Sequence, residues 1–490
     1  MQIYLAGYNI DTEVLKEYEK LSGKKLISAT PETISASYAR ISRDPRPVNQ
    51  LRETARKEVE KARKSNRNII FNMGHQSIAE HAVFNFDIIG VSRLAIEEIE
   101  RCRLCSFTEK SQRYITLTDD YVIPDEIKKT ALEKEYQEII QRQNELYHKM
   151  FKKLKDYIFK KYPELSSNEK KHNMLEGWAK EDARYISSLA TKGQLGMTIN
   201  GRSLEYMIRR FASHPLSEIR NIGKKMYELV KDTAPSIIKY TKSNDYDEKT
   251  PLELKEMFKH FLPKQNKKKE VVLIDWTQKG DKKLIASIIH HYSNLSYEEC
   301  LEKTEEMSQK ELEKIIKTTF KHMEFFNSVQ REFEIIYFFY ELIVSASCFA
   351  QLKRHRMATI IPQDYDIELG ATIPASVKDT GFEKEFQHIL EITHSFYKKL
   401  KEFNPYTAPY ILTNANRRKV LIKLNARELY HISRLREDPH AQWDIRNIST
   451  QMVAKAKEKA PIAMMLACSK KDYPERYKEI FGKYPSFNKQ

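Results

Sequence analysis

The sequence predicts an α+β fold built twice: two tandem domains, each joining long helices to a small, mostly antiparallel sheet. Two observations carry this. Motifs recur in the same order along the chain, and long stretches of helical period alternate with short runs of strand character. At 490 residues the chain also exceeds what one hydrophobic core usually serves.

Four anchors define the recurrence. Glu98-Ile-Glu-Arg101-Cys-Arg103 aligns with Gln351-Leu-Lys-Arg354-His-Arg356 at an offset of 253. Asn200-Gly-Arg202-Ser-Leu204 aligns with Asn425-Ala-Arg427-Glu-Leu429 at 225. Glu218-Ile-Arg220 aligns with Asp444-Ile-Arg446, and Pro235 with Pro461, both at 226. The falling offset makes the second copy shorter between its first two anchors. Copy one is therefore placed at 1–240 and copy two at 271–490, joined by a polar, lysine-rich linker at 241–270 with Pro251 and Pro263.

Each copy opens on a strand, at 2–5 and at 271–276. Helical periodicity covers 50–65, 133–160, 305–325 and 331–353, while 82–89 reads as a strand. The apolar run 335–352 is interrupted by Glu341 and carries serines, so it reads as a buried helix rather than a membrane span. Asn425 and Arg436 are eleven residues apart, about three helical turns, and so share a helix face.

Composition narrows the function classes. The formal charge of +16 is spread along the chain without a base-reading module. Such a field suits anionic small substrates, and nucleic acid is not expected as a partner. Neither a Gly-x-Gly-x-x-Gly turn nor a P-loop occurs, so any nucleotide cofactor is held by other means. Five cysteines without framework spacing fit reduced thiols in a cytoplasmic protein, as does a start that lacks signal-peptide character. Cys102-x-x-Cys105 has no second pair, reads as two small residues at a helix end, and no metal site is expected.

The most informative segment is 101–114, Arg-Cys-Arg-Leu-Cys-Ser-Phe-Thr-Glu-Lys-Ser-Gln-Arg-Tyr. Its guanidinium forks and hydroxyls can surround a phosphate, while Glu109 fixes a second polar ligand. The later run 354–366 keeps the opening and loses the end: Pro362, Asp364 and Asp366 stand where Glu109, Ser111 and Arg113 stand in copy one. Two carboxylates there would repel a phosphate.

Copy one also carries Gly74-His75-Gln76-Ser77-Ile-Ala-Glu80-His81, Phe84-Asn-Phe86 and Val91-Ser92-Arg93. Copy two carries Asn425-Ala-Arg427, His431, Arg436 and His440-Ala-Gln-Trp. On these residues each half resembles the flavin-dependent thymidylate synthase (ThyX) family. The resemblance implies FAD as cofactor and NADPH as its reductant, with transfer of a one-carbon unit from methylenetetrahydrofolate, the folate partner, to C5 of dUMP without a cysteine nucleophile. Matched position by position, it implies that Glu109, Lys110, Ser111, Gln112, Arg113, Arg184, Gln351 and Arg354 bind substrate. His75, Ser77, Glu80, Arg101, Arg103, Arg354, His355, Arg356, Asn425, Arg427 and His431 are the expected FAD contacts, and Arg436 is the arginine that stabilises ionised uracil.

Each copy departs from the pattern. In copy one, Glu98 replaces glutamine, Cys102 replaces histidine, and Phe211 falls where the activating arginine belongs. The adjacent Arg210 is turned about 100° away on a helix and, with Arg209, reads as solvated. Copy two has the damaged phosphate loop, Pro409 in place of Arg184, and no histidine in register with His75. Because the losses do not overlap, one composite site per chain is expected, in a homodimer that imitates the family's homotetramer. Two alternatives stay open: a nucleotide and flavin binder without turnover, and a flavin-dependent uracil methyltransferase acting on another substrate such as RNA.

Overall fold

The computed structural model describes residues 1–10, 17, 18, 20, 30–40, 44–113, 115–261 and 269–486. Tyr114 of the arginine-rich run and Pro263, Lys267 and Lys268 of the linker lie outside the described residues. The chain forms two compact units: Met1–Lys264 with Asp379–Leu412, and Gln265–Lys378 with Thr413–Gln490.

The first unit contains strands β1 (Gln2–Tyr8), β2 (Val83–Ser92), β3 (Cys105–Glu109) and β4 (Lys192–Asn200), arranged β1-β2-β4-β3 and antiparallel throughout. The second repeats this topology with β5 (Val271–Trp276), β6 (Tyr337–Ser345), β7 (Thr359–Pro362) and β8 (Arg417–Asn425), in the order β5-β6-β8-β7. The central strand of each sheet ends on a serine that caps the next helix. Ser92 Oγ accepts from the Ala95 N–H and Ser345 Oγ from the Cys348 N–H, both at 2.9 Å. Each hydroxyl in turn donates to a carboxylate at the third sequence anchor, Ser92 to Glu218 at 2.6 Å and Ser345 to Asp444 at 2.5 Å.

The stretch 331–353 is not one helix. Tyr337–Ser345 is β6, and the helix is confined to Ala346–Leu352. Phe338, Tyr340 and Leu342 alternate into the core, but β6 lies between β5 and β8 and its last residues are buried on both faces. Such a strand reads as a continuous apolar run that period alone cannot tell from a buried helix. The 305–325 stretch also splits, into Tyr297–Glu306 and Gln309–Phe320. Ser308 and Glu311 form a capping box that starts the second helix afresh.

The change of offset has a structural source. Copy one carries the 30-residue helix Leu132–Lys161 and then the helix His172–Ala183, which leads into Arg184. The corresponding stretch of copy two is a 21-residue helix, Glu383–Phe403, followed by the short turn Ala408–Ile411 that contains Pro409. Glu383–Phe403 packs in the first unit against Leu132–Lys161. There the buried Gln143 amide donates to Thr393 Oγ1 at 2.9 Å and to the Ile411 carbonyl at 3.0 Å.

Candidate functional site

In the first unit, β3 delivers Glu109 to the sheet edge. Its pairing with β4 continues one residue further, where the Lys110 N–H donates to the Gln194 carbonyl at 2.9 Å. The chain then turns, with the Arg113 N–H on Ser111 Oγ at 3.2 Å. Glu109, Lys110, Ser111 and Gln112 line a small cavity together with Arg93 and Gly193.

Two ion pairs border this loop, the first buried and the second partly so. Arg93 meets Glu109 at 3.2 Å, and Arg113 meets Glu181 at 2.6 Å. Arg184 is 5% exposed, and burial lowers its pKa to about 10; Glu181 opposes that shift while Arg93 and Arg113 reinforce it. Three guanidiniums and two carboxylates gather here, beside Lys110. Nε and one terminal nitrogen of Arg93 are buried without a hydrogen-bond partner among the described residues. A bound anion would satisfy those donors. Arg93 and Glu181 are absent from the candidates chosen from sequence, although Arg93 lies inside a motif quoted there and Glu181 three residues before Arg184.

The counterpart in copy two is filled. Arg418 stands where Gly193 stands, and its guanidinium lies 4.2 Å from the Tyr365 ring centre and 4.7 Å from that of Phe349. Its Nε donates to the Gln363 carbonyl at 2.8 Å. Tyr365 and Phe349 match Gln112 and Ile96 at the 253 offset, so this chain's own side chains occupy the equivalent space. Asp366, in the place of Arg113, caps a short turn by accepting from the Glu368 N–H at 2.9 Å.

Copy two instead assembles a buried polar chain. Glu428 meets His355 Nδ1 at 3.3 Å, and Arg436 Nε donates to His355 Nε2 at 2.9 Å. A second Arg436 nitrogen reaches the Gln351 carbonyl at 3.4 Å, and the Gln351 amide donates to Gln442 Oε1 at 3.4 Å. Burial lowers the His355 pKa more than Glu428 raises it, so the ring is neutral with its proton on Nδ1. His431, exposed, meets the His355 ring edge-on with centroids 5.8 Å apart. Asn425 caps the helix Ala426–Arg436 through the Glu428 N–H at 2.8 Å. Thus Gln351, His355, His431 and Arg436 come together, joined by Glu428, which the sequence reading overlooked.

The same places in copy one hold Glu98, Cys102, Tyr206 and Phe211, with Ser203 for Glu428. Phe211 is fully buried. Arg210 is not solvated: its guanidinium donates to the Glu98 carbonyl, the counterpart of the Gln351 carbonyl that Arg436 reaches. Burial raises the pKa of the Glu98 carboxyl, but Arg101 and Arg210 more than offset this and bring it below its ordinary value. A long arginine side chain thereby offsets the one-residue shift along the helix.

The remaining candidates sit nearer the surface. His75, just before the turn Gln76–His81, and Ser77 within it are exposed, and Glu80 of that turn pairs with Arg202 at 2.7 Å. In copy two Arg427 pairs with Glu334 at 2.7 Å, and Glu334 lies 254 residues beyond Glu80, a match the sequence could have revealed. Arg101 is exposed and held by Glu98 at 3.0 Å, and Arg103 is exposed beside it. Arg354 is exposed and Arg356 half-buried in the turn that follows Ala346–Leu352.

These features define a tandem α+β protein with a small arginine-bordered cavity in one copy and a buried Glu–His–Arg chain in the other. The chain belongs to the thymidylate synthase complementing protein family, whose model matches residues 25–236 and 272–462, once per copy. A UPF0159 protein of Thermoplasma acidophilum is 23% identical over 443 residues, covering 81% of this chain and 86% of the relative. A flavin-dependent thymidylate synthase of Clostridium tetani is 32% identical over 222 residues, covering 44% of this chain and 85% of the relative. Among solved structures, ThyX of Helicobacter pylori complexed with FAD and dUMP matches 49% of this chain and all of that one, at 19% identity and a TM-score of 0.28.

Proposed function

We propose that the chain is a cytoplasmic, FAD-dependent thymidylate synthase that methylates dUMP at C5, with NADPH and methylenetetrahydrofolate as co-substrates. In this reading copy one supplies the phosphate-binding set and copy two the uracil-activating set, and the protein works as a homodimer. The observation that carries it is the division of intact machinery. The arginine pocket around Ser111 and Arg113 has a filled counterpart, and the positions in copy one that align with Glu428, His355 and Arg436 hold Ser203, Cys102 and Phe211.

The geometry supports the following roles. Arg113, Arg184 and Arg93 receive the nucleotide phosphate, with Ser111 as a hydroxyl donor. Carbon–carbon bond formation at C5 of uracil is favoured when negative charge builds on the pyrimidine. Arg436, fixed by His355 and the Gln351 carbonyl, is a preorganised cation for that charge. His355 accepts from Arg436 through Nε2 only while its proton sits on Nδ1, and Glu428 selects that tautomer. Glu428 and His355 are therefore positioning residues. Arg354, Arg356 and His431 are a donor set at or near the surface suited to the pyrophosphate and ring of FAD, with Arg427 set by Glu334. When bound, FAD would carry the hydride that completes the methyl group.

Rescue of a thymidine-requiring bacterial strain tests the reading. Growth without thymidine is expected from the wild-type gene and not from Arg436→Ala. Absence of rescue by a well-expressed wild-type protein would leave a binder without turnover as the better account.

A further inference from the structure

The pair Cys102 and Cys105 takes no part in the proposed chemistry. Cys102 lies in the turn after the helix Arg93–Ile99, its N–H on the Ile99 carbonyl at 3.4 Å, and Cys105 opens β3. Neither is in a disulfide, and their sulfurs lie 2.9 Å apart. Cys102 is half-exposed, whereas Cys105 is 4% exposed beneath it. Among the described residues no cluster of three metal-ligating side chains occurs, so the pair is not part of a visible metal site.

The five cysteines differ sharply. Cys300 and Cys348 are fully buried. Burial pushes the Cys348 thiol far up and that of Cys468 up to about 12, so both stay protonated. Cys102 moves the other way, to about 7. The hydrogen bond from Cys105 lowers it most, burial opposes, and the Leu104 N–H, Arg210 and Ser203 add to the lowering. The accessible member of the pair is therefore the one with the greater thiolate character. In copy two the matching residues are His355 and Ala358, so the arrangement belongs to copy one alone.

We propose that Cys102 and Cys105 form a dithiol–disulfide site that exchanges with small disulfides of the glutathione class, with Cys102 as attacking and Cys105 as resolving thiol. The Cys102 thiolate attacks one sulfur of glutathione disulfide. That S–S bond breaks, a Cys102–glutathione bond forms, and one glutathione thiolate leaves to take a proton from water. Cys105 gives its proton to water and attacks the Cys102 sulfur, which forms the internal disulfide and releases the second glutathione. Two protein thiols are oxidised and one glutathione disulfide is reduced to two thiols. The new bond ties the end of the Arg93–Ile99 region to the strand that leads into Lys110–Arg113.

The full-length protein is incubated at pH 7 with glutathione disulfide, alkylated, and mapped by tryptic mass spectrometry. The expected result is a disulfide joining the peptide that holds Cys102 to the one that holds Cys105, with Cys300, Cys348 and Cys468 alkylated after unfolding. Cys105→Ser should accumulate glutathione on Cys102, and Cys102→Ser should remove both products. Iodoacetamide should label native Cys102 roughly ten times faster than any other cysteine. The proposal is overturned if Cys102 and Cys105 both remain thiols in glutathione disulfide, or if Cys300, Cys348 or Cys468 reacts first. Labelling of the wild-type protein decides the matter even where a variant fails to fold.

Discussion

Removing the Glu428 carboxylate tests the chain that runs through His355 to Arg436. Glu428 meets Nδ1 of His355 at 3.3 Å, and Nε2 accepts from Arg436 at 2.9 Å. In Glu428→Ala the Nδ1–H loses its acceptor in a site where His355 is 3% exposed. A hydrogen bond to a charged group is worth about 1.5–3 kcal/mol, and the ring escapes the loss only by moving its proton to Nε2, against the Arg436 donor. If the loss falls on the transition state, kcat drops about 10- to 150-fold. Glu428→Gln keeps an acceptor and loses the charge, so its loss should be roughly tenfold or less. Steady-state kcat and KM for dUMP, with flavin occupancy read from visible absorbance, separate the possibilities. The expected pattern is a fall in kcat, with dUMP affinity and flavin occupancy within about twofold of wild type. Wild-type kcat in Glu428→Ala would refute the relay, and so would a defect confined to flavin binding.

Arg113→Ala should weaken dUMP binding by about 1.5–3 kcal/mol in calorimetry, whereas Asp366→Arg should change it little because Arg418, Phe349 and Tyr365 still fill that pocket. Arg436→Ala should keep flavin and nucleotide binding and lose turnover, which stopped-flow and binding titrations distinguish. Glu437 has its pKa raised by burial to about 7, so its ionisation opposes folding: the penalty is absent well below the ordinary carboxylate range and complete above pH 7. Glu437→Gln should therefore raise stability at pH 8 by up to about 3 kcal/mol, and by nearly nothing at pH 4, in urea unfolding followed by circular dichroism.

The duplication was legible because strand register preserves offsets: Lys192–Asn200 and Arg417–Asn425 correspond residue for residue at 225. That copy two departs from copy one at this loop was likewise readable from Pro362, Asp364 and Asp366. What stayed hidden depends on partners distant in sequence. Arg113 finds Glu181 across 68 residues, and His355 finds Glu428 across 73, and neither spacing is a motif. Arg210 was misjudged because helical rotation fixes where a side chain leaves the backbone, not where a four-atom stem delivers its guanidinium. β6 was misjudged because burial on both faces near its end erased the alternation that marks a strand.

Release of tritium from [5-³H]dUMP tests the central claim most directly, since replacing the C5 hydrogen is common to any route that installs the methyl group. Purified protein with FAD, NADPH and methylenetetrahydrofolate should release tritium to water and form dTMP in equal amounts. Omission of either co-substrate should stop dTMP formation, and Arg436→Ala should abolish it. A protein that binds FAD and dUMP yet forms no dTMP in the complete mixture would contradict the account.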